Sequence, residues 1–210
     1  GCGLAQLAHT TPPDWMFRQY WYRSSVNEAM QGELKTIAAQ AIAMLGRDLY
    51  EGDWILDIGA NDGTLLRAFE TLAPRGNGDY SCRWTRVAVE PALNLQQHLK
   101  DCATVIVPDY FPTNQLDGRR RGFKIITAIA MAYDLEQPIA FFLKIAELLH
   151  PSGIAVVQFQ DLESQMRCAA FDNIVAEHLE YYTLHSLAEV TTATGLYPYE
   201  VQHTPINGGS

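Results

Sequence analysis

Three short stretches hold residues whose types and spacing could do chemistry around a single ligand. The first is Trp54-Ile55-Leu56-Asp57-Ile58-Gly59-Ala60-Asn61-Asp62-Gly63-Thr64-Leu65-Leu66. Its apolar residues suit a strand covered on both faces, and Gly59 and Gly63 let the backbone turn sharply and lie close to a ligand. The first N–H groups of the helix that follows then face that ligand. The second stretch is Val89-Glu90-Pro91, an acid at the end of an apolar strand, placed to accept both hydroxyls of a ribose. The third, Pro108-Asp109-Tyr110-Phe111, is a turn with an acid and two aromatic rings, suited to an adenine.

The charges choose among nucleotide ligands. A dinucleotide turn reads G-x-G-x-x-G and gives a pyrophosphate room at a positive helix end. This turn reads D-x-G-x-x-x-G, and Asp57 and Asp62 would repel a pyrophosphate with nothing basic nearby to compensate. They suit a ligand that carries an ammonium and a sulfonium, which is S-adenosylmethionine. Asn61 in the turn, Pro91 and Asn94 beyond Glu90, and Ala130 and Met131 after a later strand complete the candidate donor contacts. The turn resembles that of class I methyltransferases.

The elements that must position these residues follow from periodicity. Ser25 and Glu28 form a capping-box pair, and Val26, Met30, Leu34, Ile37, Ala41 and Leu45 follow at helical spacing until Gly46. Strands are expected at Trp54–Ile58, Trp84–Val89, Ala103–Val107, Phe123–Ala130, Ile154–Phe159 and Leu196–His203. Helices are expected at Leu65–Leu72 before Pro74, Ala92–Lys100, Gln137–His150, Leu162–Cys168 and Leu184–Thr194, with a loop over residues 75–82. Strands alternating with helices give an α/β, Rossmann-like, doubly wound and mostly parallel sheet with its ligand at the strand carboxyl ends.

Composition bounds the rest. The chain has 210 residues, 48% hydrophobic and 19% charged, which fits one globular core. No apolar run approaches the roughly 20 residues of a membrane helix, and no secretory leader is read, so no membrane partner is expected. A net charge of −9 argues against broad nucleic-acid binding, and the run Arg119-Arg120-Arg121 reads as solvated loop. Cys2, Cys82, Cys102 and Cys168 form no C-x-x-C pair, so reduced thiols and a cytoplasmic setting are expected, with no metal site.

Three further stretches carry a sharper resemblance: Tyr20-Trp21-Tyr22-Arg23-Ser24-Ser25, Phe171-Asp172-Asn173-Ile174-Val175-Ala176-Glu177-His178-Leu179-Glu180-Tyr181-Tyr182-Thr183-Leu184, and Asn207-Gly208-Gly209-Ser210. With the donor turn they resemble, from end to end, the C-methyltransferases that act on nucleotide-linked 4-keto-6-deoxysugars. The resemblance implies that residues 1–25 are the tail of a zinc module and residues 26–210 the donor-binding domain. Cys2 matches the last C-x-x-C of that module, and one cysteine does not hold zinc. The resemblance further implies a core without its carboxyl-terminal domain or the last strand of the sheet. Ala176 stands where many relatives have histidine, as does the Tyr133-Asp134-Leu135 segment after the fourth strand.

The resemblance implies removal of a proton beside the ketone and attack of the resulting enolate on the donor methyl. His178 is then the candidate base, because an imidazole of pKa about 6.5 is largely free near neutrality. Glu177 would orient it or bind a sugar hydroxyl, and the Tyr22 phenol would donate to the enolate oxygen. Tyr20, Trp21 and Tyr22 alternate faces, so packing accounts for at least one of them. The residues leave three activities open: carbon methylation of a sugar nucleotide or related ketone, O- or N-methylation of another small molecule, and donor binding without turnover.

Overall fold

The computed structural model describes residues 3–73 and 84–210. In chain order the elements are β1 (Ala5–Gln6), α1 (Pro13–Phe17), α2 (Glu28–Leu45), β2 (Trp54–Ile58), α3 (Thr64–Leu72), β3 (Thr85–Val89), β4 (Val105–Val107), β5 (Phe123–Ile129), α4 (Pro138–Leu148), β6 (Leu149–Gln158), α5 (Leu162–Cys168), β7 (Glu180–Tyr181) and α6 (Leu184–Ala193). Five strands form one sheet in the order β4-β3-β2-β5-β6, every pair parallel. The chain steps from β2 to β3 on one side and later to β5 on the other. The carboxyl end of β2 is therefore the switch point, where α/β sheets leave a crevice for a ligand.

Both faces of the sheet are covered, as its apolar strands require. Ile55 and Ile125 pack with Met30, Leu34, Ile37, Ala41 and Leu45 of α2 and with Leu65 and Phe69 of α3. Leu56, Ile58, Ile126 and Ala128 point the other way, into Phe141, Phe142, Ile145 and Leu148 of α4. Successive residues of one strand thus feed two cores, the period of two that a pleated strand imposes. Asp57 is the polar member of β2, 3% exposed, and Thr127 Oγ1 beside it donates to its carboxylate at 2.7 Å.

Several elements differ from the sequence reading. The cap of α2 is Asn27, whose side chain accepts from Met30 N at 3.1 Å, because Ser25 N is taken by Asp62. Residues 92–100 form turns with a short 3-10 segment, Gln96–Leu99, and no α-helix. The tighter winding still buries Leu95, Leu99 and Cys102, and Asn94 is drawn aside by Tyr20. Leu196–His203 pairs with no strand: Pro198 lacks a ladder donor, and the segment instead lies along α2 through Gln40–Gln202 and Tyr199–Met44 contacts.

Other differences are local. Strand β6 begins directly at the end of α4, five residues before the sequence signal. Ala5–Gln6 and Glu180–Tyr181 form an antiparallel pair that periodicity did not indicate, since two residues per strand carry no pattern. Arg119 and Arg120 are not simply solvated. Arg119 stacks 3.9 Å from the Trp54 ring centroid, and Arg120 pairs with Glu147 at 2.6 Å. The loop expected over 75–82, Pro74, Cys2 and Cys82 lie outside the described residues. No helix among the described residues is long and apolar enough to cross a membrane.

Candidate active site

A cavity of about 870 Å³ opens at the carboxyl ends of β2, β3 and β5. That volume is in the range of whole small-molecule sites and exceeds what one compact ligand fills. Its floor is the turn after β2. Gly59 has φ +69°, and a Cβ there would come within 3.0 Å of Met131 Cγ, so the bare backbone is what keeps this edge open. Gly63, at φ +81°, lets α3 start against Cys102, whose Sγ would lie 2.3 Å from an added Cβ.

Two buried carboxyls face the donor half. Burial, with Glu90 adding like charge, pushes Asp57 up to about 7 despite the Thr127 hydrogen bond. Burial also pushes Glu90 up to about 7, against two backbone donors, Asn61 N at 2.7 Å and Ala92 N at 2.8 Å. Each Glu90 oxygen keeps a second lone pair for a ligand hydroxyl. No lysine or arginine lines the cavity among the described residues. The groups therefore fit S-adenosylmethionine: a cationic ligand favours the ionised carboxyls, and a pyrophosphate would find no counter-charge. Pro91, Tyr110, Ala130 and Met131 line the same half, with Ala130 held at φ +53°, a strained conformation for a residue with a Cβ.

The remaining candidate donor residues are placed differently. Asn61 lines the cavity, but its side chain holds the amino-terminal segment: Oδ1 accepts from Ser24 N at 3.0 Å and Nδ2 donates to the Tyr22 carbonyl at 3.1 Å. Asp62 faces a separate shallow pocket with Arg67 and His98. Burial alone would raise its pKa, yet hydrogen bonds from Ser25 and Thr64 hold it below the usual carboxylate value. Asn94 is off the cavity wall and makes a reciprocal pair with Tyr20, at 3.0 Å to its N–H and 2.8 Å to its carbonyl. Asp109 closes its own turn by accepting from Tyr110 N, Thr113 Oγ1 and Gln115 Nε2.

These bonds explain the aromatic amino-terminal segment. Residues 12–25 form a strap across the cavity mouth, and Phe17, Tyr20, Trp21 and Tyr22 line the space beneath it. Its further ties are Arg18 O to Leu93 N and Tyr110 OH to Asp14 at 2.9 Å. Burial raises the pKa of Tyr22, so its phenol keeps its proton at neutral pH.

The opposite wall comes from the loop between α5 and α6. His178 Nδ1 is 2.8 Å from the Asn173 carbonyl oxygen. An oxygen that only accepts makes Nδ1 the donor, so Nε2 keeps a free lone pair. Burial lowers the His178 pKa, although Asn173 and Glu177 act the other way, and the ring meets Tyr133 edge-on at 4.8 Å. Glu177 makes no hydrogen bond to His178 and does not line the cavity; the orienting contact is the Asn173 carbonyl. Asp134, Gln160, Asn173 and Asn207 also line this half, and the sequence reading did not single them out as site residues. Asn173 and Asn207 lie inside two of the motifs and Asp134 inside the Tyr133-Asp134-Leu135 segment, which was the available signal.

A methyltransferase-domain family model matches residues 26–201. The chain belongs to this methyltransferase family. It is 26% identical over 212 residues to the C-methyltransferase NovU of Streptomyces niveus, covering 100% of this chain and 48% of that protein. The chain thus spans about half the length of that relative. Among solved structures, the YcgJ protein of Bacillus subtilis superposes with a TM-score of 0.60 at 15% identity, over 82% of this chain and 71% of that one. The plantazolicin methyltransferase BamL, solved with SAH and a substrate analogue, gives 0.60 at 13% identity over 80% and 63%. At those identities the likeness is one of fold. The chain carries a methyltransferase domain, of the S-adenosylmethionine-dependent class, built on a Rossmann-like parallel sheet.

Proposed function

We propose that this methyltransferase acts on carbon next to the ketone of a 4-keto-6-deoxysugar held between the strap and the α5–α6 loop. The observation that carries the reading is the 2.8 Å contact of His178 Nδ1 with the Asn173 carbonyl oxygen, which makes Nδ1 the donor and leaves Nε2 unprotonated to take a proton. Nε2 takes the proton from the carbon beside the ketone, and the electron pair left behind delocalises onto the ketone oxygen. Tyr22, still protonated, donates to that oxygen as charge develops. S-adenosylmethionine, when bound, would supply the methyl from its sulfonium, and S-adenosylhomocysteine would be the leaving group. Asp57, Gly59, Glu90, Pro91, Tyr110, Ala130 and Met131 would hold the donor.

The similarity to a C-methyltransferase over the full chain supports carbon as the site of transfer. A nucleotide carrier on the sugar would have to leave its phosphates outside, because the cavity wall offers them no cation among the described residues. The test is His178→Ala, with calorimetry for S-adenosylmethionine and mass spectrometry to locate the methyl in the product. Donor affinity within about threefold of the parent with turnover down at least about 100-fold is expected. Unchanged turnover removes His178 as base, and a methyl found on oxygen or nitrogen replaces carbon transfer by the O- or N-methyltransferase reading.

A further inference from the structure

One amide on the acceptor wall is only half used by the fold. Strand β6 ends at Gln158, Asp161 caps α5 by accepting from Ser164 N at 2.9 Å, and α5 brings Gln165 back beside Gln160. The two glutamines are 7% (Gln160) and 5% (Gln165) exposed, and Gln165 Nε2 donates to Gln160 Oε1 at 2.8 Å. The main chain next to them is pinned, with Asp161 N on the Gly209 carbonyl at 3.0 Å and Leu162 N on the Tyr182 carbonyl at 2.8 Å. Gln165 itself does not line the cavity. The Gln160 amide is thus fixed in place and in direction by a residue outside the cavity wall.

What remains of Gln160 is its amide nitrogen. It meets no acceptor among the described residues, and unlike Gln96 Nε2 it is not sealed from solvent. Gln160 lines the acceptor half of the cavity, so its N–H groups face that space. Buried amides normally spend both ends; this one spends its oxygen on Gln165 and keeps its nitrogen for a ligand. An amide N–H donates and cannot accept, so its partner must offer a lone pair, as a hydroxyl oxygen does and an ammonium or alkyl group does not. The amide is also uncharged, so it adds no charge that the ligand would have to balance.

We infer that Gln160 selects the acceptor by donating a hydrogen bond to a hydroxyl oxygen on the sugar ring, with Gln165 setting the direction of the amide. The inference deepens the proposed function and rests on it in placing a deoxysugar in the acceptor half. Tyr22 serves the ketone oxygen, where charge develops, and Gln160 serves an oxygen whose charge stays constant. The Gln160 bond is then equally strong in the ground and transition states, so it acts on KM and leaves kcat alone. Gln160 binds the acceptor, and Gln165 is a positioning residue that never touches it.

The test titrates the whole chain, saturated with S-adenosylhomocysteine, with the methyl glycoside of a 4-keto-6-deoxyhexose and with its singly deoxygenated forms. In the unmutated chain one deoxygenation is expected to weaken binding about tenfold. Gln160→Met is expected to weaken the parent glycoside about as much and to make that same deoxygenation cost less than about twofold. Affinity for S-adenosylhomocysteine stays within about threefold, and in turnover KM for the glycoside rises about tenfold while kcat stays within about twofold.

Gln165→Glu keeps Gln160 and tests its direction. An ionised carboxylate only accepts, so it takes a Gln160 N–H and turns the amide oxygen to the cavity. Relative to the unmutated chain, glycoside affinity is expected to be about tenfold weaker near pH 8.5 and to recover toward about pH 6, where the protonated carboxyl donates as Gln165 does. Packing damage would not recover with pH, and this variant stands even if Gln160→Met fails to fold. A deoxygenation penalty that survives Gln160→Met, a fall in kcat without a rise in KM, an equal loss of S-adenosylhomocysteine affinity, or a pH-independent Gln165→Glu overturns the inference. Absence of glycoside binding to the unmutated chain removes the sugar acceptor and the inference with it. Binding that ignores Gln160 removes the inference alone and leaves the proposed function standing.

Discussion

The Asn61 side chain donates to the backbone carbonyl of Tyr22 at 3.1 Å, which ties the donor turn directly to the residue proposed to stabilise the enolate. Asn61 sits at φ +51°, a conformation that Asn tolerates and that Ala resists. Asn61→Gly therefore keeps the backbone and removes the bonds to Tyr22 and Ser24 together. Turnover is expected to fall about tenfold or more, while the S-adenosylmethionine dissociation constant moves by less than about threefold. Asn61→Asp keeps the acceptor for Ser24 N and is expected to recover part of the rate. Steady-state kinetics beside calorimetry separate the two quantities, and an equal loss in both would assign Asn61 to donor binding.

Donor affinity should depend on pH through the two carboxyls beneath the donor. Asp57 and Glu90 are both pushed up to about 7, so below neutrality the free protein holds protons that a cationic ligand must displace. Affinity for S-adenosylmethionine is expected to rise from pH 5.5 to about 7.5 and then level, by up to about tenfold per unit for each coupled proton. The free protein behaves in the opposite sense. A carboxyl whose pKa is raised on folding binds more protons folded than unfolded between about pH 4 and 7, so stability falls as pH climbs through that window. Thermal melts with and without donor across pH 5–8 read both trends.

Gly63 is a packing constraint at the same turn. Alanine there would place its Cβ 2.3 Å from Cys102 Sγ and 3.1 Å from Leu99 Cδ2, at a φ of +81°. Gly63→Ala is expected to destabilise the fold by about 2–3 kcal/mol, read from chemical denaturation. Adding Cys102→Ala is expected to return part of that loss, because the clash goes and the backbone strain stays.

The rate should follow the ionisation of His178. Its pKa lies below the ordinary 6.5 because burial disfavours the imidazolium, so the base is free at and above neutrality. In pH–rate profiles at saturating substrates, the acid limb is expected to lie below pH 6.5 and to vanish in His178→Ala.

The donor half was legible because its logic is local. Asp57, Gly59 and Glu90 stand at strand ends, and strand ends are marked by apolar runs that a sheet must bury. The long helix α2 was equally plain from its apolar spacing, though its cap is Asn27 and not Ser25, and the bounds expected for α5 match those found. What sequence could not show was where side chains spend their hydrogen bonds. Asn61, Asp62 and Asn94 sit beside the donor turn, yet each grips the strap, a partner 37 to 74 residues away in sequence. Gln160 was hidden for the same reason. Its distinction is an amide nitrogen left without a partner, and that is a property of the folded surroundings. The strand expected at Leu196–His203 followed its β-favouring residues and discounted Pro198.

The strap is held largely by its main chain, through the N–H groups of Tyr20, Ser24 and Ser25 and the carbonyls of Arg18, Tyr20 and Tyr22, with the Asp14 and Arg18 side chains adding ties to Tyr110 and Pro91. Its aromatic side chains are thereby released from structural duty. Exchanging Phe17, Trp21 or Tyr20 reshapes the roof of the acceptor chamber without loosening its fastening. A family that needs one donor and many acceptors can diversify in this way, since the part that must vary is clamped by atoms every amino acid shares.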